Sequence, residues 1–122
     1  MLKNFLLVGL GGGIGSMLRY ASSLLFGSRY FPYSTLAVNI IGSFVIGIVL
    51  GLSLKNEYFL TNWKLFLATG ICGGFTTFSS FSAENMELLQ TGKTLLAFVY
   101  IAASVIFGIL AAWFGYKLLT TN

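Results

Sequence analysis

Gly70-Ile71-Cys72-Gly73-Gly74-Phe75-Thr76-Thr77-Phe78-Ser79-Ser80-Phe81 is the stretch whose reading decides the fold. It lies inside a largely apolar run of 27 positions, Lys64 to Gln90. One continuous helix over that run would be roughly 40 Å long, against roughly 30 Å for the hydrocarbon core of a bilayer. It would also carry its weakest residues, the glycines, at mid-membrane. A membrane-crossing helix broken in its middle, with unwinding at Gly73-Gly74, fits both facts.

The rest of the chain agrees with a lipid setting. Of its 122 residues, 57% are hydrophobic and 8% charged, and the mean hydropathy is +0.88, too little charge to cover a water-soluble surface. Spans are expected at about 5–26, 35–54, 64–90 and 94–118, which fills the chain as a single four-span domain, residues 1–122, and leaves no room for a soluble one. The first span ends near Gly27, where Gly27-Ser28-Arg29 and the lone Pro32 form a turn-rich connection. Lys55-Asn56-Glu57 stops the second span, and Trp63-Lys64 marks re-entry at the interface. The N-terminal run resembles a signal peptide but continues through a glycine-dense stretch, so it reads as a retained helix.

The net charge of +4 comes from basic residues scattered singly at segment ends. That pattern flanks membranes and does not build a nucleic-acid surface. Lys3, Lys55, Lys64 and Lys117 fall at one membrane face, and Arg29 and Lys93 at the other with Arg19 leaning toward them. So even a balance is a weak orientation signal and predicts insertion both ways round. With one cysteine, Cys72, and no histidine, neither an intramolecular disulfide nor a His/Cys metal cluster can form, and an enzyme is excluded for want of a nucleophile with a basic partner.

Several polar or small residues need an explanation inside lipid. Gly9/Gly13, Gly11/Gly15 and Ser43/Gly47/Gly51 repeat at a spacing of four, which lets helix backbones approach closely. A phosphate loop at Gly11–Gly15 would need a preceding strand and a following Lys-Ser/Thr, and has neither. Asn39 is an uncharged amide one turn into span two, open to two readings: interhelical glue, or a donor to an anion. Arg19 reads first as a snorkelling residue, and alternatively as the wall of an aqueous vestibule that gathers anions. Phe78 and Phe81 share a helix face that Asn85 continues, interleaved with Thr76, Thr77, Ser79, Ser80 and Ser82. Ring edges are positive, so together with hydroxyl and amide donors they can replace an anion's water without a fixed cation to trap it. Tyr100 and Ser104, one turn apart, extend such a track or simply bond between helices. Glu84 shares a face with Thr77 and Ser80, yet with Glu87 it falls within two turns of Gly92, so an interfacial position is expected.

Three of these stretches carry a resemblance: Gly11–Tyr20, Ser34–Phe44 and, above all, Gly73-Gly74-Phe75-Thr76-Thr77-Phe78-Ser79-Ser80-Phe81-Ser82-Ala83-Glu84. They resemble the Fluc family of small fluoride channels, also called the CrcB family, and the likeness runs the whole chain in order. The resemblance implies an antiparallel, inverted homodimer in the cell membrane of a prokaryote, exporting fluoride passively along two pathways. It implies that Phe78 and Phe81 are pore phenylalanines and Asn39 the pore asparagine. Thr77 and Ser80, and more weakly Tyr100 and Ser104, would form the hydroxyl track, with Arg19 at the vestibule. It also implies a structural sodium ion at the dimer centre, held by the backbone carbonyls of Gly73 and Thr76. Two rivals stand beside it: a small cation/proton exporter of the multidrug-resistance type, whose key glutamate in the first helix has no counterpart in this span one, and a non-conducting assembly subunit.

Overall fold

The computed structural model describes residues 1–27 and 31–121, so Ser28 and Arg29 of the expected turn lie outside the described residues. Over the described residues the chain is helical: α1 (Leu2–Phe26), α2 (Tyr33–Lys55), α3 (Glu57–Lys64), a π-helical segment (Leu65–Cys72), α4 (Gly73–Phe75), α5 (Phe78–Gln90) and α6 (Thr94–Thr120). Tyr33–Lys55, Thr61–Gln90 and Thr94–Thr120 are each long and apolar enough to cross a bilayer. At 25 residues α1 has comparable length, though its glycines and Arg19 lower its apolar character. Leu95 at 78% and Leu25 at 77% exposure typify the large apolar side chains these helices turn outward, a surface suited to lipid and not to water.

Small residues set the packing. α2 lies backbone to backbone on α6: a Cβ at Gly47 would run into the Ala112 carbonyl, and one at Gly115 into that of Phe44. α1 meets the π-helical segment the same way, Gly11 against Phe66 and Gly70, Gly15 against Ile71, and Gly12 against Gly74 of α4. Of the glycines expected to pack, Gly11/Gly15 and Gly47/Gly51 do so. At Gly9 and Gly13 an added Cβ would meet nothing within 4 Å among the described residues.

Two boundaries differ from expectation. A helix resumes at Glu57 after the single residue Asn56, so Trp63 and Lys64 lie within helix instead of opening it. The break in the third crossing is also displaced. Gly73 is helical (φ −61°, ψ −38°); the chain leaves the helix at Thr76 (φ −82°, ψ 159°) and Thr77 (φ −151°, ψ 124°). Glycine weakens a helix but does not end one, whereas a hydroxyl can cap the next. Thr77 does so, its Oγ1 accepting the Ser80 N–H at 3.1 Å. Thr76 closes the preceding turn, its N–H (3.0 Å) and Oγ1 (2.8 Å) both donating to the Cys72 carbonyl.

Candidate functional site

The site grows from the backbone of the break. In an uninterrupted helix the Thr77 N–H would donate to the Gly73 carbonyl and the Ser80 N–H to that of Thr76. Instead Thr77 N–H donates to Asn39 Oδ1 at 2.8 Å, and Ser80 N–H to Thr77 Oγ1 at 3.1 Å. The carbonyls of Gly73 and Thr76 thereby lose their helical donors. Asn39 completes its clasp with Nδ2 donating to the Thr77 carbonyl at 3.1 Å, so this amide pairs with Thr77 as a neighbouring peptide would. The glue reading of Asn39 therefore holds, while one amide hydrogen is used and the second is left for other partners.

Arg19 does not snorkel. Its Nε donates to the Gly74 carbonyl at 3.0 Å, 55 positions along the chain, and so caps the C-terminal end of α4. That carbonyl would otherwise be stranded, and a guanidinium is well suited to it. The remainder of Arg19 lines a cavity of about 280 Å³ with Thr35, Thr77, Ser80 and Glu84.

A second cavity, of about 410 Å³, also borders the break. Asn39, Thr76, Thr77, Phe78, Phe81 and Ser104 are among its lining residues, and among the described residues no charged side chain is. Thr77 lines both cavities, so they adjoin at the break. The Phe78 and Phe81 ring centroids are 5.7 Å apart, as their shared face requires. Ser104 Oγ is buried with no hydrogen-bond partner among the described residues, a hydroxyl free to face a guest.

The two members of the proposed span-four track separate. Tyr100 is fully buried at 0% exposure, its hydroxyl donating to Glu84 Oε1 at 3.0 Å, and it lines neither of these two cavities. Glu84 is held at both carboxylate oxygens, since Oε2 accepts from the Thr35 hydroxyl at 2.8 Å. Thr35 is the residue that sequence reasoning missed. Its only signal was a hydroxyl beside Pro32 at the start of a span, 49 positions from its partner. Asn85 continues the phenylalanine face inward, buried with Nδ2 on the Phe81 carbonyl at 2.9 Å. Among the described residues no three His, Cys, Asp or Glu lie close enough to share a metal, so a cation here would rest on backbone or hydroxyl oxygens.

A family model described as "CrcB-like protein, Camphor Resistance (CrcB)" matches residues 6–116. The chain is 50% identical over 121 residues, 97% of each chain, to a protein of Azobacteroides pseudotrichonymphae genomovar. CFP2 named "Fluoride-specific ion channel FluC". Proteins of the same name are 48% identical over 120 residues in Thermus thermophilus, covering 96% of this chain and 95% of that one. The match in Flavobacterium psychrophilum is 45% identical over 118 residues, covering 93% and 94%.

Proposed function

This chain belongs to the CrcB-like family, and from that premise we propose that it is a passive, fluoride-selective channel working as an inverted homodimer in the cell membrane of a prokaryote. It is not an enzyme. The observation that carries the reading is the 410 Å³ cavity beside the break, lined by Asn39, Thr77, Phe78, Phe81 and Ser104 and by no charged side chain. Fluoride is small and strongly hydrated, so a route through lipid must offer donors at each step while holding the ion loosely enough to release it. The second Asn39 N–H, the Ser104 hydroxyl and the phenylalanine edges are donors of that moderate kind. A lysine in their place would trap the ion.

The smaller cavity serves as the approach. There Arg19 supplies positive potential, and Thr77 and Ser80 lead toward the break. Tyr100 contributes by holding Glu84, not by facing the ion.

Two further features support a second copy. Phe78 is 78% exposed, and Gly73, Ser79 and Ser82 are exposed beside the break, where lipid can satisfy neither hydroxyls nor carbonyls. An isologous partner would cover them. The Gly73 and Thr76 carbonyls, deprived of helical donors, fit a hard monovalent cation, and one pair from each copy would give four oxygens. Sodium, when bound there, would neutralise stranded carbonyl dipoles and brace the dimer.

Flux from liposomes holding fluoride, chloride or a cationic dye tests the reading. Fast fluoride loss with chloride and dye retained is expected; dye exchange driven by a proton gradient would replace this reading with the exporter.

A further inference from the structure

We infer that Phe31 is a positioning residue for the pathway: acting through Tyr100, it sets the plane of the Phe81 ring. The inference rests on the reading that Phe81 faces the ion. It starts from an aromatic chain running from the head of α2 to the break. Phe31 stacks obliquely on Tyr33 (4.8 Å, 52°) and meets Tyr100 edge to face (5.2 Å, 69°). Tyr100 in turn meets Phe81 edge to face (5.0 Å, 64°), and Phe81 lies 5.7 Å from Phe78.

Tyr100 is the middle of this chain, and its hydroxyl bond to Glu84 at 3.0 Å cannot fix its ring plane. The phenol C–O bond lies on the axis about which the ring turns, so a bond to oxygen restrains the ring's tip and leaves rotation free. The plane is decided by whatever packs against the ring. Phe31 and Phe81 supply two edge-type contacts there, and both also border the buried cluster of Leu88, Ala97 and Tyr100. Phe31 is itself well anchored. Its carbonyl accepts the Tyr33 N–H at 2.8 Å, and Pro32 has a ring-locked φ of −78°.

The consequence for conduction follows from the ring quadrupole. Turning Phe81 about its own axis exchanges a positive edge for a negative face, which changes its interaction with an anion from attractive to repulsive. Removing Phe31 frees Tyr100 on one side, and Phe81 then loses a fixed counter-surface. One edge-to-face contact corresponds to a factor of about 2 to 12 in an equilibrium, and fluoride flux should fall by that order.

The experiment uses the full-length dimer in liposomes, with 3-fluorophenylalanine at position 81, whose fluorine lies off the ring's axis, read by 19F NMR and fluoride and chloride efflux measured in parallel. Phe31→Leu removes the ring and keeps bulk, while Phe31→Tyr keeps the ring. Pentafluorophenylalanine at position 31 keeps nearly the same shape and inverts the quadrupole, so it serves where Phe31→Leu does not assemble. The expected result is a shifted or sharpened resonance at position 81 and several-fold slower fluoride efflux in the Leu and pentafluoro proteins, with Phe31→Tyr close to the parent in both. An unchanged resonance overturns the inference whatever the flux does, and so does a changed resonance with parental flux where Phe81→Ile itself conducts slowly. Phe81→Ile, run alongside, separates the two readings: if it conducts like the parent, Phe81 is not in the pathway, and the resonance still decides whether Phe31 orients it.

Discussion

Asn39→Leu is the substitution that tests the break most directly. Leucine matches asparagine in size but offers neither of the bonds now made to Thr77, Nδ2 to the carbonyl at 3.1 Å and Oδ1 from the N–H at 2.8 Å. If both Thr77 groups stayed unpaired, the cost would be about 1–3 kcal/mol each. Side-chain hydrogen bonds in membranes average nearer ~0.6 kcal/mol, because the unfolded state in lipid also finds partners. Thr77 and Asn39 are half-buried, which places the expected loss between these limits, at about 2–3 kcal/mol for the pair. There is a cheaper escape. Without Oδ1 to hold it, the Thr77 N–H can return to the Gly73 carbonyl and heal that half of the break.

The two outcomes have different signatures. A stranded break lowers stability in every salt. A healed one keeps more stability but consumes the Gly73 carbonyl, so any stabilisation that sodium gives over N-methylglucamine should vanish. Unfolding of the purified protein in mixed micelles, followed by circular dichroism in each salt, distinguishes them. An Asn39→Leu protein within ~0.5 kcal/mol of the parent and still sodium-responsive would refute the role given to this amide.

Phe78→Ile and Phe81→Ile keep bulk and delete the ring edge, and each should slow fluoride efflux at least tenfold while the dimer persists on size exclusion; parental rates in both would remove the rings from the pathway. Gly15→Ala drives a methyl into the Ile71 backbone and should cost about 1–3 kcal/mol, whereas Gly13→Ala meets nothing among the described residues and should gain up to ~1 kcal/mol from helix propensity; matched melting curves check the opposite signs. Arg19→Lys keeps the charge but loses the Nε geometry on Gly74, so stability should drop by about 1–2 kcal/mol while the salt dependence of fluoride entry survives; Arg19→Gln should lose both. Glu84→Leu accepts from neither Thr35 nor Tyr100 and leaves both hydroxyls without their acceptor, a loss of about 1–3 kcal/mol each that a melt would detect.

What was legible in the sequence is what local composition controls. Apolar length placed the long helices to within a few residues, and Gly27 ended α1 as read, because the chain leaves the helix there in an extended conformation. The existence of a break was visible in the density of glycine and hydroxyls, but its place was not. Gly73-Gly74 looked the weaker point, yet Gly74 is spent on close approach to Gly12, and the interruption falls where Thr77 can cap Ser80. That cap had a sequence signature, a threonine three before a serine at the head of an apolar helix, outweighed by the glycines. Arg19 with Gly74 and Thr35 with Glu84 were invisible for a different reason. They join distant spans, and no period within one helix reports which face another helix will meet. The same limit made Gly9/Gly13 indistinguishable from Gly11/Gly15.

These distant contacts all converge on the break. Its Gly74 carbonyl is held from α1 by Arg19, both polar groups of the Thr77 peptide unit's flanks are held from α2 by Asn39, and the Ser80 N–H is held from within by Thr77. An interruption that lipid would penalise at several kcal/mol per unpaired group is thus shared among three spans. It cannot move without breaking bonds in each of them. That rigidity suits a site which must present weak donors in fixed positions, since loosely held donors would let an anion draw them in and stay. It also defines what the chain alone does not answer: the Gly73 and Thr76 carbonyls, whose helical donors have been diverted, with Gly73 exposed on the outer surface of the protomer. The proposed second copy and the proposed cation would answer these groups together, so the two belong to one argument.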